Sequence, residues 1–260
     1  MKLLQMTDIH LSAPGTTVGG RDPNANFDRA LSHALEHHPD ADALFITGDL
    51  SEHGDPDDYS RLKERISALP LPAHVTLGNH DIRANFLSVF PELAGNSGLV
   101  NYTVPLPIGD AIVLDTLDDG AHEGRFSEAT AAWMDAQLAA LPGPVWIFLH
   151  HHPVAMGIKP MDDIMLVDAD RFADTLRPHR DKIRHILHGH CHLPLSGSLL
   201  GIPFSAPRGT NHQGWPAFGS PDYATSDLPE SYSVIIATTE TTMIHMVEFG
   251  YTGEVYWESA

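Results

Sequence analysis

Five short apolar runs in this chain each end in a cluster of carboxylate, imidazole or amide side chains. Residues 2–6 lead into T-D-I-H, 43–47 into G-D-L-S, 74–77 into G-N-H-D, 145–149 into H-H-H-P and 185–187 into H-G-H-C-H. Short apolar runs that stop at polar clusters are typical of buried strands. The sequence therefore predicts several buried strands that carry polar side chains at the same end.

Helix-like segments separate these strands, and strands that alternate with helices indicate an α/β fold. The predicted helices cover residues 27–37, 56–69, 82–90, 127–141 and 169–177. Asp55 and Ser127 are suited to N-cap the second and fourth of them. A further strand, 112–114, ends at Asp115, which we expect to support structure. After His192 the predicted strands follow one another without helices, at 195–199, 202–206, 233–237 and 243–249.

The stretch 207–230 is rich in proline, glycine and aromatic residues, and it predicts a long ordered loop. We expect this loop to serve as a cap or as a subunit interface, and the second role would make the protein a homo-oligomer. Trp215 and Phe218 could wall a pocket or lie in such a contact. No repeat, linker or low-complexity tract divides the sequence, so we predict a single domain over residues 1–260.

The chain is strongly acidic, with 15 basic and 34 acidic residues and a formal net charge of -19 at pH 7. Nucleic-acid polymers and anionic membrane surfaces would be repelled, because both are bound through lysine and arginine. A small anion remains a suitable partner if metal ions supply positive charge. The polar N-terminus, the lack of a long apolar run and the single cysteine, Cys191, predict a cytoplasmic location.

The polar clusters should meet, because the carboxyl ends of neighbouring strands in an α/β sheet share one edge. Asp8 and His10, like His190 and His192, stand two residues apart, and such pairs point the same way from an extended chain. Mixed carboxylate, imidazole and amide groups suit Mn, Fe, Co or Zn better than Mg or Ca. The residues that we expect to converge are Asp8, His10, Asp49, Asn79, His80, His151, His190 and His192.

In chain order the motifs D-I-H, G-D-L, G-N-H-D, H-H-P and G-H-C-H resemble those of the calcineurin-like metallophosphoesterase superfamily. They span Asp8 to His192. Within the superfamily the chain is similar to class III cyclic-nucleotide phosphodiesterases and, more closely, to bacterial glycerophosphodiesterases. That closer likeness rests on G-N-H-D-I-R-A-N-F-L, on G-T-N-H-Q and on D-Y-A-T-S-D-L-P-E-S. The resemblance implies a four-layer αββα sandwich, with two mixed sheets flanked by helices.

The resemblance also implies two divalent metal ions per chain, drawn from Mn, Fe, Zn and Co. The ligands of the first ion would be Asp8, His10 and His192. Those of the second would be Asn79, His151 and His190. Asp49 would bridge both ions and take part in catalysis. The family ligand in the H-H-H run stands two residues before proline, which selects His151 over His150 and His152.

Hydrolysis of a small phosphodiester by a metal-bridging hydroxide is the activity that the resemblance implies. His80 would be a catalytic group beside the substrate and not a metal ligand. The candidate substrate contacts are Asn79, His80, Arg21 and His212, although Arg21 could equally be a solvated loop arginine. Cys191 alternates away from its neighbours, and we expect it to take no part.

Three kinds of function fit these residues. The first is a phosphodiesterase that acts on glycerophosphodiesters, cyclic nucleotides or phosphonate esters. The second is a phosphomonoesterase with the same metal centre, which would need extra positive groups for a dianion; the sequence has few near its motifs. The third is a non-catalytic binding scaffold, but such proteins lose ligand residues and this chain fills every ligand position.

Overall fold

The computed structural model describes residues 1–95 and 97–258. The helices are α1 (Pro23–His37), α2 (Pro56–Ser67), α3 (Arg83–Val89), α4 (Glu128–Ala140), α5 (Lys159–Asp162) and α6 (Ala169–Leu176). The strands are β1 (Lys2–Met6), β2 (Ala43–Thr47), β3 (Ala73–Thr76), β4 (Tyr102–Pro105), β5 (Asp110–Val113), β6 (Val145–Phe148), β7 (Ile183–Leu187), β8 (Leu195–Leu199), β9 (Ile202–Ala206), β10 (Gln213–Trp215), β11 (Ala224–Ser226), β12 (Ser231–Ala237) and β13 (Thr242–Glu248).

Most predicted elements are present, and the differences have local causes. Helix α1 begins at Pro23, earlier than expected, because the Asp22 carboxylate caps it by accepting a hydrogen bond from the Ala25 N–H. The predicted caps are confirmed: Asp55 accepts from the backbone N–H of Asp57, and Ser127 caps α4. Strands β4, β10 and β11 and helix α5 escaped prediction, since three or four residues carry too little periodicity.

Two large mixed sheets form the centre of the molecule. The first has the order β13-β12-β1-β2-β3, in which β1, β2 and β3 run parallel. The second has the order β4-β5-β6-β7-β9-β8, in which β5, β6, β7 and β9 run parallel. The sheets pack face to face, and the rings of Phe45 from β2 and Phe148 from β6 stack 3.8 Å apart between them.

Helices cover the outer face of each sheet. Phe27, Tyr59 and Phe86 of α1, α2 and α3 are buried in one cluster with residues of β1 and β2. Met134 and Phe172 of α4 and α6 are buried in another cluster with residues of β6 and β7. Strands covered on both faces need apolar side chains throughout, which explains their continuous apolar runs. The expected four-layer αββα sandwich is confirmed.

The layered arrangement brings the carboxyl ends of β1, β2 and β3 beside those of β6 and β7. Within 207–230, strands β10 and β11 form a small antiparallel sheet next to this edge, and His212 and Tyr223 line a cavity there. The role of 207–230 as a cap or an interface and the single domain over 1–260 both stay predictions. None of the helices in the described ranges has the length and hydropathy needed to span a bilayer.

Candidate metal centre

The backbone is left-handed at most of the predicted ligands. In the described chain, six residues other than glycine have positive φ, and five of them are predicted ligands. The φ angles are 53° at Asp8, 48° at His10, 49° at Asp49, 71° at His190 and 49° at His192. Side chains with a Cβ disfavour this conformation, and it persists where surrounding structure enforces it, often at functional sites. The strain is therefore concentrated at the ends of β1, β2 and β7, which carry these five ligands.

The first cluster contains Asp8, His10, Asp49 and His192, all of them buried. The Nε2 atoms of His10 and His192 lie 3.3 Å apart. The His192 Nε2 lies 3.4 Å from Asp8 Oδ1, and the His10 Nε2 lies 3.7 Å from Asp49 Oδ2. Donor atoms about 2.1 Å from one ion are separated by about 3.0–3.4 Å. The spacing of the cluster therefore suits a single divalent ion.

The second cluster gathers around the Nε2 atom of His150. This atom lies 3.2 Å from Asn79 Oδ1, 3.2 Å from His190 Nδ1 and 3.4 Å from Asp49 Oδ1. The donor set is again of imidazole, amide and carboxylate groups, at separations that one ion would impose. A second ion therefore fits beside the first.

Asp49 joins the two clusters. Its Oδ2 faces His10, and its Oδ1 faces His150 while accepting a hydrogen bond of 3.0 Å from the His80 backbone N–H. One carboxylate thus presents a different oxygen to each cluster. This arrangement fits a dinuclear site with Asp49 as the bridging ligand.

Each imidazole of the two clusters is fixed by an acceptor on its far side. These contacts join His10 Nδ1 to Glu52 Oε2 at 2.7 Å, His192 Nδ1 to His212 O at 2.8 Å, His150 Nδ1 to Thr47 O at 2.7 Å and His190 Nε2 to Ile164 O at 3.1 Å. Carbonyl and carboxylate oxygens only accept, so the proton of a neutral ring sits on that far nitrogen. The opposite nitrogens then direct their lone pairs toward one another, and a cation bound between them would remove the resulting repulsion.

The electrostatics agree with this interpretation. Asp8 and Asp49 are buried carboxylates, and buried charges in proteins are paired or bind metals. Burial disfavours a charged imidazole at His150, yet Asp49 and Asp8 outweigh it and raise the pKa of His150 to about 9. The two carboxylates thus attract positive charge to the place where the second ion would be held. The residues present fit two divalent ions.

The sequence interpretation selected His151, but the geometry favours its neighbour. His151 turns its Nδ1 to the Thr116 hydroxyl at 2.8 Å, and it lies close to His150 and His190, but in the described chain no contact with Asn79 or Asp49 is found for it. Glycines make room for each ring: a Cβ on Gly48 would lie 2.4 Å from His150 Nδ1, and one on Gly124 would lie 2.4 Å from His151 Cγ. The distance of two residues from Pro153 does not identify the ring that meets Asn79, because three consecutive histidines after a strand point in different directions.

A sequence model described as calcineurin-like phosphoesterase matches residues 1–194. The chain belongs to this family. It is 32% identical over 262 residues to a probable cyclic nucleotide phosphodiesterase of Rhodopseudomonas palustris, covering 98% of this chain and 95% of that protein. It is 29% identical over 203 residues to a probable glycerophosphodiester phosphodiesterase of Arcobacter nitrofigilis, covering 74% of this chain and 72% of that protein.

Solved structures show the same fold. A dimetal phosphatase from Danio rerio superposes with a TM-score of 0.71 at 14% identity, covering 95% of this chain and 96% of that one. A purple acid phosphatase from yellow lupin seeds superposes with a TM-score of 0.69 at 14% identity, covering 98% of this chain and 52% of that one. The chain therefore shares its four-layer sandwich with both of these phosphatases.

A cavity of about 320 Å³ opens above the two clusters of this phosphoesterase centre. The predicted contacts Asn79, His80 and His212 line it, together with His122 and Tyr223, and an apolar wall is formed by Pro160, Met161 and Ile164. The His212 ring lies over His192 with centroids 4.2 Å apart. His80 packs edge-on against His10, and its Nδ1 lies 3.0 Å from the Glu52 carbonyl oxygen.

Arg21 is not among the residues that line this cavity. Its guanidinium lies 3.2 Å from the buried Glu230 carboxylate and donates to the Leu228 carbonyl at 3.0 Å. These contacts tie the loop after β1 to the segment before β12. The structure thus gives Arg21 a supporting position in place of the substrate contact suggested by the sequence.

Replacing Arg21 by glutamine should lower stability without a comparable loss of catalysis. Charge-assisted hydrogen bonds are removed, which costs on the order of 2 kcal/mol of unfolding free energy. Urea unfolding and diester kinetics would be measured side by side. A KM raised tenfold with unchanged stability would show that Arg21 contacts substrate after all.

Two acidic residues of the centre were not singled out from sequence. Glu52, three residues after Asp49, holds His10. Asp81, the last residue of G-N-H-D, accepts hydrogen bonds from the backbone N–H groups of Gly78, Leu50 and Ser51 and from the Tyr59 hydroxyl. It thereby ties the loop after β3 to the loop after β2. The sequence feature that could have identified them is a carboxylate next to a ligand motif, because metal-binding histidines are commonly oriented by carboxylates.

Glu52→Gln should weaken the affinity of the first cluster for metal by about 10–100-fold. The amide cannot supply the negative charge that orients His10 and increases its basicity. Metal titration of chelator-treated protein measures the effect, with the exposed Glu64→Gln as the matched control. Equal affinities for the two variants would contradict the orienting role of Glu52.

Proposed function

We propose that this protein is a dinuclear metal-dependent phosphodiesterase that hydrolyses small phosphodiesters. The observation that carries the proposal is the position of Asp49 between two donor clusters. The names of its relatives support the same reaction, since they include cyclic nucleotide and glycerophosphodiester phosphodiesterases. We propose Mn, Fe, Zn or Co as the ions, because the donors mix nitrogen and oxygen.

The first ion would be held by Asp8, His10 and His192, and the second by Asn79, His150 and His190. Asp49 would bridge them. His150 here replaces His151 from the sequence interpretation, because it is the Nε2 of His150 that meets Asn79, Asp49 and His190.

The lining of the cavity favours a diester over a monoester. None of the residues found to line it is a lysine or an arginine. A phosphodiester carries one negative charge, whereas a phosphomonoester near neutral pH carries nearly two and would call for additional cations. The apolar wall and Tyr223 can instead receive the organic group on the second ester oxygen. We propose glycerophosphodiesters, cyclic nucleotides and phosphonate esters as the substrate classes.

When bound, the two ions would polarise the phosphoryl oxygens and supply a hydroxide nucleophile near neutral pH. The chain's own contribution is positioning and proton transfer. The Glu52 carbonyl fixes a proton on His80 Nδ1, so Nε2 is the nitrogen left to face the cavity. In its imidazolium form His80 would donate from Nε2 to the leaving alkoxide. His212 would help position the substrate above His192. We further propose a cytoplasmic location, supported by the single, buried thiol of Cys191.

The proposal is tested by hydrolysis of bis(p-nitrophenyl) phosphate and p-nitrophenyl phosphate. Metal-stripped protein would be assayed with Mn²⁺, Fe²⁺, Co²⁺ or Zn²⁺ added back. We expect metal-dependent turnover with a clear preference for the diester. A preference for the monoester would support the phosphomonoesterase alternative. Inactivity with every metal would support the non-catalytic binding scaffold.

His80→Ala should lower kcat for the diester by about 10²–10⁴-fold, the usual contribution of a general acid. The metal content should stay at the wild-type value, because the His80 side chain bonds to the Glu52 carbonyl, and its bond to Asp49 comes from the backbone N–H, which alanine keeps. Elemental analysis of the variant separates the two effects. Loss of bound metal along with activity would show that His80 serves the metal centre.

A further inference from the structure

The last strand of the five-stranded sheet has an unprotected edge. Within the described ranges, β13 pairs with β12 on one side and with no strand on the other. Its register with β12 is continuous, and residues 242–247 contain no charged residue and no proline. Met243 is 57% exposed and Met246 is 38% exposed. Sheet edges are normally protected by lysine, proline or a bulge, since a bare edge can pair with another chain.

We propose that β13 pairs antiparallel with β13 of a second copy of this chain. The two five-stranded sheets would then join across a twofold axis into one sheet. Dimers with such an axis are the commonest assemblies of identical chains, and the same strand contributes to both sides of the contact. The proposal concerns a surface outside the metal centre, so it does not depend on the proposed activity.

The register follows from symmetry and from the length of the strand. A twofold axis perpendicular to the sheet leaves each face of β13 on the same side of the joined sheet. Residues that lie opposite each other must therefore have sequence numbers that differ by an even number. Centring the axis on His245 pairs the whole strand, with Met243 opposite the second copy's Val247 and Ile244 opposite its Met246. Any other allowed register leaves one end unpaired. Apolar side chains of this kind stabilise cross-strand pairs.

The charges at the two ends of β13 are compatible with the same register. The Arg184 Nε donates to the Thr242 hydroxyl at 2.8 Å, so a guanidinium lies beside one end of β13. Glu248 lies at the other end, where its half-exposed carboxylate is paired with Arg208 of the same chain. The twofold register places Thr242 opposite the second copy's Glu248, and it does so at both ends. In a chain of net charge -19, an uncharged strand whose terminal carboxylate is already paired is a suitable place for two copies to meet.

Mass and a single introduced cysteine test the pairing. A chain of 28.4 kDa should behave as a species of twice that mass in light scattering. His245→Cys should cross-link across the axis under mild oxidation, because opposed residues in a sheet lie within disulfide reach. The native Cys191 is fully buried and should not interfere. Met243→Cys is the register control, since the two copies of that residue would lie about 14 Å apart.

A charge at the edge should dissociate the dimer. Met243→Lys is expected to yield a monomer with wild-type diester activity. Ile236→Lys is the matched control, because this residue is 42% exposed on β12 directly beside Met243, but away from the edge. A monomeric wild-type protein, a dimer in which His245→Cys fails to cross-link, or equal dissociation by both lysines would overturn the proposal. Inactivity of the dimer would count against the proposed reaction and not against this contact.

Discussion

Replacing Asp49 by asparagine is expected to reduce diester hydrolysis by on the order of 10³-fold, since two metal ions contribute several kcal/mol to transition-state stabilisation. Asp49 is the only predicted ligand whose two oxygens face different clusters. Asparagine keeps one of these oxygens, but it loses the second and the negative charge. The charge loss also removes the group that attracts cations most directly to both places.

Metal content and rate should both be measured for this variant, because the bridging role predicts that they fall together. Asp181→Asn is a suitable control: its side chain is 96% exposed and lies outside the centre. If Asp49→Asn retained two ions per chain and wild-type turnover, the bridging assignment would have to be abandoned.

Substituting alanine for His150 should have the second large effect, and the same change at His151 a much smaller one. His150 Nε2 meets three other donors of the second cluster, whereas His151 bonds to the Thr116 hydroxyl. We expect His150→Ala to lose one ion and about 10³-fold in diester turnover, as for a removed metal. For His151→Ala we expect a change of about tenfold, the lower end for residues that support a site.

The two histidines control for each other, because both are fully buried and adjacent. Elemental analysis of each variant should therefore show a difference in metal stoichiometry, and thermal unfolding should show similar losses of stability. One ion lost from His151→Ala and none from His150→Ala would restore the assignment made from the distance to Pro153.

The sequence predicted individual strands and helices closely where the pattern was long. The apolar run of β2 exists because both faces of this strand are covered, so consecutive residues are buried. Helix α2 begins at Pro56 behind the predicted cap Asp55, since capping is a local interaction. The short strands β10 and β11 were not predicted, because three residues pair there only through tertiary contact.

Residue types at the strand ends were likewise available from the sequence. The order of carboxylate, amide and imidazole groups from Asp8 to His192 indicated a metal site, because donor chemistry depends on residue type alone. The sequence also indicated which strands would deliver them. Asp8 and His10 have left-handed backbone conformations that their residue types disfavour. At these two positions the placement of the metal donors relative to one another outweighs the local backbone preference.

Tertiary structure decided which atoms meet. His150 and His151 are identical residues in adjacent positions, and only the folded chain shows that the ring of His150, packed against Gly48, reaches Asn79. Arg21 lies near the first motif in the sequence, yet Glu230, more than two hundred residues away, holds it. Sequence by itself determined the donor chemistry and the α/β class, because both depend on residue type and local period, and the four-layer sandwich followed from the resemblance of the motifs. The directions of side chains depend on distant packing, and those were decided by the fold.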